Sequence, residues 1–256
     1  MKAIKAIGVI PARYGSTRFP AKMLADLCGK PLVVRTVERV RQARSLSEVL
    51  LATDDERIAE AARAENIPAV LTRADHPSGT DRIAEAVSGT DADIVVNIQG
   101  DEPFMDASLI DALVERMAAS PEVEMATAAT PIRDAAELHA PSVVKVVCGL
   151  GGRALYFSRS LIPFARDVAP ETLLDRELYL RHLGIYAYRR DFLLKLVSHP
   201  PHLLEETEKL EQLRALALGA TIAVLKTDQP APGVDTPADL DAARKFYQAR
   251  TGESKS

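Results

Sequence analysis

The sequence is poor in cysteine and in aromatic residues, and it contains no tryptophan. Its 256 residues include two cysteines, Cys28 and Cys148, without metal-ligand spacing, so reduced thiols in a cytosolic protein are expected. Aromatic residues make up 5% of the chain and form no stacking platform for nucleic acid. A metal-binding cysteine module and a nucleic-acid-binding protein are therefore not expected.

Long apolar runs and an excess of positive charge are also missing. No run approaches the roughly 20 residues that span a bilayer. The N-terminal segment MKAIKAIGVIPAR has no cleavage site of small residues, so it predicts a first strand rather than a signal peptide. A net charge of −4 argues against nucleic-acid binding. Together with the cysteines and the missing apolar run, it leads us to expect a cytoplasmic protein without membrane insertion.

Apolar runs and amphipathic segments alternate along the first 120 residues. Strand-like runs such as EVLLAT and ADIVVNIQG are separated by helix-like segments such as DDERIAEAARAEN and DASLIDALVERMAAS, the last with Asp106 as its predicted N-cap. This alternation predicts a parallel, doubly wound sheet in an α/β fold. The continuous apolar runs are typical of strands that are covered on both faces.

The alternation changes after residue 122. Strand-like segments follow one another with fewer helices between them, which predicts an antiparallel elaboration of the sheet. Residues 202–219 predict one helix that ends at Gly219, and Pro237 begins a closing helix. Because no repeat, linker or low-complexity segment is found, residues 1–256 are expected to form a single domain.

The first strand leads into a basic loop, GVIPARYGSTRFPAK, at residues 8–22. Ligands of open α/β sheets bind at the carboxyl ends of strands, where this loop lies. Arg13, Ser16, Arg18 and Lys22 could hold a triphosphate, although a solvated basic loop is the alternative. The sequence has neither GxxxxGK[ST] nor GxGxxG, so a P-loop and a dinucleotide site are not expected.

Two aspartates far apart in sequence each follow a glycine-containing turn. Asp101 lies in NIQGDEP after the fourth strand, and Asp235 lies in PGVDTP. Phosphoryl-transfer enzymes commonly hold Mg²⁺ with one or two carboxylates, phosphate oxygens and water. Spacing alone leaves open that each is a turn residue or, for Asp235, a helix N-cap. Glu102 is a weaker candidate, as a supporting charge.

Several motifs together resemble one family. PARYGSTRFPAK is similar to the signature of the sugar nucleotidyltransferases, and QGDEP, RHLGIY and GVDTP resemble the 3-deoxy-manno-octulosonate (KDO) cytidylyltransferases from about residue 7 to 245. The resemblance implies a Rossmann-like nucleotide-diphospho-sugar transferase fold. It also implies a Mg²⁺-dependent reaction of CTP with KDO that gives CMP-KDO, for lipopolysaccharide synthesis, and pyrophosphate. A homodimer is implied as well, with residues 130–190 at its interface.

The resemblance also assigns roles to the residues around the phosphates. Arg13 and Lys22 would bind the triphosphate and stabilise the leaving pyrophosphate, with Ser16 as a further nucleotide contact. Asp101 and Asp235 would ligate Mg²⁺. Many relatives carry glycine where this chain has Ala21, and a positive φ there would cost alanine about 1 kcal/mol.

The nucleotide and sugar contacts are implied in the same way. Arg73, Ser78 and Gly79 match the cytidine loop, although Ser78 could equally be a helix cap. Gln99 could face the ribose or the sugar. No residue resembles a dedicated strong base, so metal and orientation are expected to suffice.

The sugar pocket needs a donor or a cation for the carboxylate of KDO. Arg159 lies at the end of a strand, and even spacing places His182 and Tyr186 on one strand face, although a lone histidine is more often a core or surface residue. The resemblance gives Glu211 and Gln212 to the sugar hydroxyls. The alternative for Glu211 is an ion pair with Arg214.

Other functions stay open at this stage. One alternative is a cytidylyltransferase that acts on a related sugar acid, such as sialic acid, or a CDP-alcohol synthase. Another is a nucleotide-binding regulator that has kept the fold. Pyrophosphate release from CTP and KDO in the presence of Mg²⁺ would separate these functions.

Overall fold

The computed structural model describes residues 4–15, 19–228 and 233–251, without the side chains of residues 250 and 251. The chain divides into two compact units. The first comprises Met1–Asp111 and Ala231–Ser256, and the second comprises Ala112–Pro230. That the whole chain is a single domain stays a prediction.

The first unit contains a parallel sheet. Its strands are β1 (Ala6–Ala12), β4 (Leu46–Thr53), β5 (Ala69–Leu71) and β6 (Ile94–Asn97), and the short strands β2 (Asp26–Leu27) and β3 (Lys30–Pro31) pair separately. β1 lies between β4 and β6, and β5 pairs with β4, all in parallel. β1 and β6 are almost wholly buried, as strands covered on both faces should be.

Helices follow these strands as the sequence predicts. They are α1 (Leu32–Val40), α2 (Glu56–Ala64), α3 (Gly79–Val87) and α9 (Pro237–Thr251), while α4 (Ala107–Ala119) begins in the first unit and ends in the second. The carboxylate of Asp106 accepts a hydrogen bond from the Ser108 amide at 3.1 Å, which confirms the predicted N-cap of α4.

The second unit is rich in antiparallel strands. They are β7 (Met125–Pro131), β8 (Lys145–Cys148), β9 (Ala154–Ser158), β10 (Leu180–Arg189) and β11 (Ile222–Lys226). β10 pairs antiparallel with both β7 and β8, and β8 pairs antiparallel with β9. β11 pairs parallel to β7, so the sheet is mixed. The predicted antiparallel elaboration is confirmed.

The helices of this unit are α5 (Ala135–His139), α6 (Arg190–Ser198), α7 (Leu203–Glu208) and α8 (Gln212–Ala217). The prediction of one continuous helix over 202–219 is wrong, because α7 ends at Lys209, whose φ of 53° is left-handed. Glu205 on α7 and Arg214 on α8 form a buried ion pair, with 2.9 Å between Oε2 and Nε. The segment therefore forms two short helices, α7 and α8, and the Glu205–Arg214 ion pair connects them.

The structure also bears on the end of α8, on the two cysteines and on membrane crossing. Gly219 has a φ of 83° directly after α8, which confirms it as a C-terminal glycine. Cys28 and Cys148 are both free thiols. Over the described residues, every helix is too short or too polar to cross a bilayer.

Candidate active site

The loop after β1 carries the first of the predicted phosphate-binding residues. Arg13 is exposed at the end of the strand. The guanidinium of Arg57, on α2, lies 3.4 Å from the ring centroid of Tyr14, and this cation–π contact holds the start of the loop against the helix. Ser16 and Arg18 lie outside the described residues, so their roles stay predictions.

The loop ends in a tight turn at Ala21. Ala21 has φ 55° and ψ 24°, the left-handed conformation that favours glycine, and the 3-10 turn Lys22–Leu24 begins directly after it. Alanine therefore has a positive φ at this position, the condition under which it costs about 1 kcal/mol relative to glycine. The backbone strain lies next to Lys22, which this turn positions.

Ala21→Gly should stabilise the protein by about 1 kcal/mol, since glycine adopts this conformation without the Cβ clash. The matched control is Ala169→Gly, at an exposed position with φ −66°, where added flexibility of the unfolded chain should cost about 0.5 kcal/mol. Urea unfolding of both variants measures the two changes. Equal losses from the two substitutions would show that the Ala21 backbone is not strained.

Lys22 brings the two predicted metal ligands together. Its Nζ lies 2.6 Å from Asp101 Oδ2 and 3.2 Å from Asp235 Oδ1, and Lys22 is only 7% exposed. Both carboxylates therefore lie within hydrogen-bond distance of one nitrogen, although 134 residues separate them in sequence. The convergence that a shared cation requires is present.

Backbone pairing and core packing explain why these loops meet. The Val234 amide donates to the Asp101 carbonyl at 2.8 Å. Phe104 from one loop, Val234 from the other and Leu240 of α9 belong to one buried cluster. Burying each side chain of this size stabilises the arrangement by about 2 kcal/mol. A Cβ on Gly100 would lie 3.0 Å from Met23 Sδ, so glycine permits the close approach before Asp101.

The alternative role of Asp235 as a helix cap is wrong. Thr236 caps α9: its Oγ1 accepts from the Asp239 amide at 3.2 Å, and the Asp239 carboxylate accepts from the Thr236 amide at 2.8 Å. This reciprocal pair is a capping box. The Asp239 carboxylate also accepts from the Asp235 amide at 3.1 Å, while the Asp235 carboxylate contacts Lys22.

Glu102 adds a third carboxylate to this region. Its Oε2 is buried and has no hydrogen-bond partner among the described residues. Burial, and then the charges of Asp101 and Asp235, raise the pKa of Glu102 to about 8. With this raised pKa, Glu102 is mostly protonated at pH 7, and the negative charge beside Lys22 comes from Asp101 and Asp235. Two carboxylates around one lysine fit a site for a divalent cation.

The number of protein ligands constrains how such a cation would bind. Within the described part of the chain, no three His, Cys, Asp or Glu side chains surround a common point as metal ligands. The protein would therefore supply two carboxylates, with phosphate oxygens and water completing the shell. That composition is typical of Mg²⁺.

The predicted nucleotide loop leads into α3. The Ser78 hydroxyl accepts from the amides of Thr80 (3.1 Å) and Asp81 (3.2 Å), which confirms the capping alternative and leaves its nucleotide role a prediction. A Cβ on Gly79 would lie 3.4 Å from Pro11 Cγ, so this glycine packs closely on β1. The helix N-terminus and the basic loop are thereby neighbours.

Arg73 and Gln99 lie in the same unit. Arg73 is exposed, with its Nε 3.6 Å from carboxylate oxygens of Asp75 and Glu85. The Gln99 amide nitrogen donates to Asn97 Oδ1 at a long 3.4 Å. These weak contacts leave both side chains able to turn toward a ligand, and their roles stay predictions.

Three side-chain contacts that no sequence pattern revealed support this loop. Buried Arg82 donates to Thr72 Oγ1 at 2.6 Å and to Asp54 Oδ2 at 2.8 Å. The His76 ring, which received no role from the sequence, contacts the Glu85 carboxylate. These partners meet only in the tertiary structure, so no local sequence pattern reveals that they form pairs.

Arg159, the predicted carboxylate-binding residue of the second unit, is heavily engaged by backbone. Its guanidinium donates to the carbonyls of Glu208 (2.7 Å), Pro141 (3.0 Å) and Lys209 (3.4 Å). The Arg159 carbonyl accepts from buried Lys145 at 3.1 Å. Arg159 is therefore held in place, with two of its five N–H groups left for a carboxylate.

His182 and Tyr186 lie together, as the even spacing predicts. Their ring centroids are 5.3 Å apart, and Phe157 packs edge-on to His182 at 5.1 Å. β10 carries a register irregularity between Leu183 and Tyr186 that the sequence did not reveal. Because it adds two residues, the parity of the strand is kept and both rings share one face.

The rings that pack around His182 raise the free energy of its positively charged form. Although the residue keeps some accessible surface, desolvation lowers the pKa of its imidazole to about 3. In the unfolded chain the pKa is about 6.5. The folded protein therefore keeps this ring neutral, and its stability contribution is present above pH 6.5 and lost as the pH falls toward 3.

A comparison with His182→Gln should isolate this effect. Between pH 7.5 and pH 5, wild type should lose about 2 kcal/mol more unfolding free energy than the variant, because only its unfolded state takes up this proton. Urea unfolding at the two values measures the difference. Above pH 7.5 the gap between the proteins should be constant, and parallel curves down to pH 5 would refute the low pKa.

Gln212 lies beside this ring pair. Its Oε1 accepts from the Tyr186 hydroxyl at 3.3 Å, while its buried Nε2 has no hydrogen-bond partner among the described residues. Glu211 is half-buried at the start of α8. Arg214 contacts the carboxylate of Glu205. The alternative pair of Glu211 with Arg214 and the sugar-binding role of Glu211 both stay predictions.

Comparisons with known proteins show which proteins this chain resembles. A family model described as cytidylyltransferase matches residues 7–222. The 3-deoxy-manno-octulosonate cytidylyltransferases of Geobacter sulfurreducens and Solibacter usitatus are 49% and 46% identical to this chain. These alignments cover 91% and 96% of this chain and 95% of each relative.

A solved structure is similar over almost the whole chain. It is a CMP:2-keto-3-deoxy-manno-octonic acid synthetase complexed with CTP, with 43% identity and a TM-score of 0.90. The match covers 96% of this chain and 99% of that structure. The expected α/β fold with a mixed sheet is confirmed.

Proposed function

The chain belongs to the 3-deoxy-manno-octulosonate cytidylyltransferase family, and we propose that it converts CTP and KDO to CMP-KDO and pyrophosphate. The relatives share 44–49% identity over nearly the full length. The observation that carries the proposal is the convergence of Asp101 and Asp235 on Lys22. This convergence supports the proposal because two carboxylates that could hold a metal lie beside a cation that could bind phosphate.

The proposed chemistry is attack of the anomeric 2-hydroxyl of KDO on the α-phosphorus of CTP, with pyrophosphate as the leaving group. Asp101 and Asp235 would hold Mg²⁺, which when bound neutralises phosphate charge. Lys22 and Arg13 bind the phosphates and stabilise charge on the departing pyrophosphate. Arg73, Ser78, Gly79 and Gln99 are the proposed nucleotide contacts of the first unit.

The second unit supplies the proposed sugar contacts. Arg159 binds the carboxylate, and His182, Tyr186, Glu211 and Gln212 contact the sugar. Support comes from the shared strand face of the two rings and from the buried, unpartnered amide nitrogen of Gln212. A polyhydroxylated acid offers the carboxylate and hydroxyl groups that these side chains pair with.

Pyrophosphate release tests the proposed function. Purified protein with CTP, KDO and Mg²⁺ should release pyrophosphate, and omission of Mg²⁺ or of KDO should abolish the release. Release only with another sugar acid, such as sialic acid, would favour the related-substrate alternative. No release with any sugar acid would favour a nucleotide-binding regulator.

A homodimer is the second part of the proposal. Large apolar side chains are exposed within residues 150–178 of the second unit: Leu150, Leu155, Phe164, Val168 and Leu178. Exposed apolar patches are typical of protein–protein interfaces, and these side chains lie near one another in sequence. We assign this surface to contact with a second copy, inside the 130–190 region that the resemblance indicates.

Phe164→Asp should convert the dimer to a monomer, since Phe164 is 84% exposed and a charge there would be desolvated in the interface. Light scattering after size-exclusion chromatography measures the mass. Leu71→Asp, at an exposed position of the first unit, serves as the control and should remain a dimer. A monomeric wild type would refute the assignment.

The compartment is also proposed. Free thiols at Cys28 and Cys148 suit a reducing environment, and we place the reaction in the cytoplasm.

A further inference from the structure

Thr127, on β7, contacts the proposed sugar-binding histidine. Its Oγ1 lies 3.0 Å from His182 Nε2, 2.7 Å from the Ile185 carbonyl oxygen and 3.2 Å from the Leu183 carbonyl oxygen. Thr127 is fully buried, so water does not share these contacts. All three partners belong to the opposite strand, β10.

The hydroxyl has one hydrogen to donate, and the carbonyls can only accept. An oxygen–oxygen distance of 2.7 Å requires that hydrogen to lie between Thr127 and the Ile185 carbonyl. The Thr127 oxygen must therefore accept from His182, so the imidazole proton is on Nε2. Nδ1 is then left as an acceptor.

The irregularity in β10 creates this arrangement. Leu183 pairs with Ala128, and Tyr186 with Thr127, so two extra residues lie between consecutive partners on β7. The bulge directs the carbonyls of Leu183 and Ile185 to the Thr127 hydroxyl. Two carbonyls therefore compete for one hydrogen, and the histidine cannot receive it.

The rest of the pocket favours a neutral ring. Phe157 and Tyr186 pack against the imidazole, and desolvation lowers its pKa to about 3. A neutral imidazole with a proton on Nε2 offers one acceptor, and it offers no positive charge to a carboxylate. Gln212 offers a donor where His182 offers an acceptor. Its Oε1 accepts from the Tyr186 hydroxyl, and its Nε2 has no hydrogen-bond partner among the described residues.

We propose that Thr127 is a positioning residue that holds His182 in its Nε2–H tautomer, so that Nδ1 accepts a hydrogen bond from a hydroxyl of the sugar acid while the Gln212 amide nitrogen donates to an oxygen of it. The proposal rests on the proposed function for the identity of the ligand. It extends that function by fixing the direction of each hydrogen bond. A sugar acid without that hydroxyl leaves Nδ1 unpaired and binds more weakly.

Nuclear magnetic resonance of ¹⁵N-histidine-labelled protein without substrate reads the tautomer directly. Wild type at pH 7 should show His182 neutral with its proton on Nε2. Thr127→Val should lose this preference, and Thr127→Ser should restore it. A wild-type ring that is charged, or that carries its proton on Nδ1, would overturn the proposal.

Kinetics provide the second measurement. Thr127→Val should raise the KM for KDO about tenfold, with the KM for CTP unchanged, and Thr127→Ser should return it to the wild-type value. Thr130→Val, a buried threonine on the opposite face of the same strand, is the matched control and should change neither KM nor tautomer. Equal kinetics in Thr127→Val and wild type would contradict the positioning role.

The two measurements separate the proposals. If the protein does not use KDO but the tautomer is as stated, the substrate assignment fails and the positioning of His182 stands. If KDO is the substrate but the His182 proton is not on Nε2, the substrate assignment stands and the positioning role of Thr127 fails. Should Thr127→Val not fold, wild type and Thr127→Ser still decide the tautomer.

Discussion

Asp101→Asn should reduce kcat by about 1,000-fold or more at saturating Mg²⁺ and substrates. Asparagine keeps the size of the side chain and can still accept a hydrogen bond from Lys22, 2.6 Å away, so the fold should be unchanged. What is lost is one of the two charges proposed to hold the metal, and electrostatic groups of this kind contribute factors of about 100 to 1,000 or more. Pyrophosphate release and circular dichroism measure the two properties.

The matched control for Asp101→Asn is Asp91→Asn. Asp91 is an exposed aspartate of the same unit that pairs with Lys5. The change removes the same charge without touching the proposed site, so the rate should be that of wild type. Full activity of Asp101→Asn in Mg²⁺ would show that the ligand assignment is wrong.

Lys22→Ala should lower kcat by about 100-fold and weaken CTP binding. The substitution removes the cation that lies between the carboxylates of Asp101 and Asp235. A triphosphate brings further negative charge, so its binding depends on this group. Calorimetric titration with CTP and steady-state pyrophosphate release measure binding and turnover separately.

Two further variants separate charge from packing at this position. Lys22→Met keeps an apolar stem in the buried site and should lose as much activity as Lys22→Ala if the charge matters. Lys195→Ala removes an exposed lysine of α6 and should have no effect. An unchanged rate in Lys22→Met would remove Lys22 from the phosphate-binding role.

Local patterns predicted much of the fold. The apolar runs of β1 and β6 are buried, and Asp106 and Gly219 occupy the helix ends that their residue types favour. These features depend on neighbours a few residues apart. The helix over 202–219 was predicted wrongly because the Glu205–Arg214 pair and left-handed Lys209 override the periodicity.

The candidate site was predictable only in part. Asp101 and Asp235 were candidates because each follows a glycine-containing turn, and the family resemblance then implied that they are metal ligands. The distances of Asp101 and Asp235 from Lys22 could not be predicted. They depend on a backbone hydrogen bond from Val234 to Asp101 and on the burial of Phe104. Competition between Thr236 and Asp235 for the cap of α9 was likewise decided by geometry.

By itself, the sequence determined the fold class, the family, the basic loop after β1 and the residue types that could bind phosphate and metal. The fold class and the loop follow from periodicity and local residue types, and the family follows from the resemblance of short motifs. All of these are properties of contiguous residues. Only the tertiary structure decided that three charged side chains meet at one point and that the Thr127 hydroxyl orients the His182 ring. Those outcomes depend on strand register and core packing between distant segments, where a shift of a single residue would reverse which groups face each other.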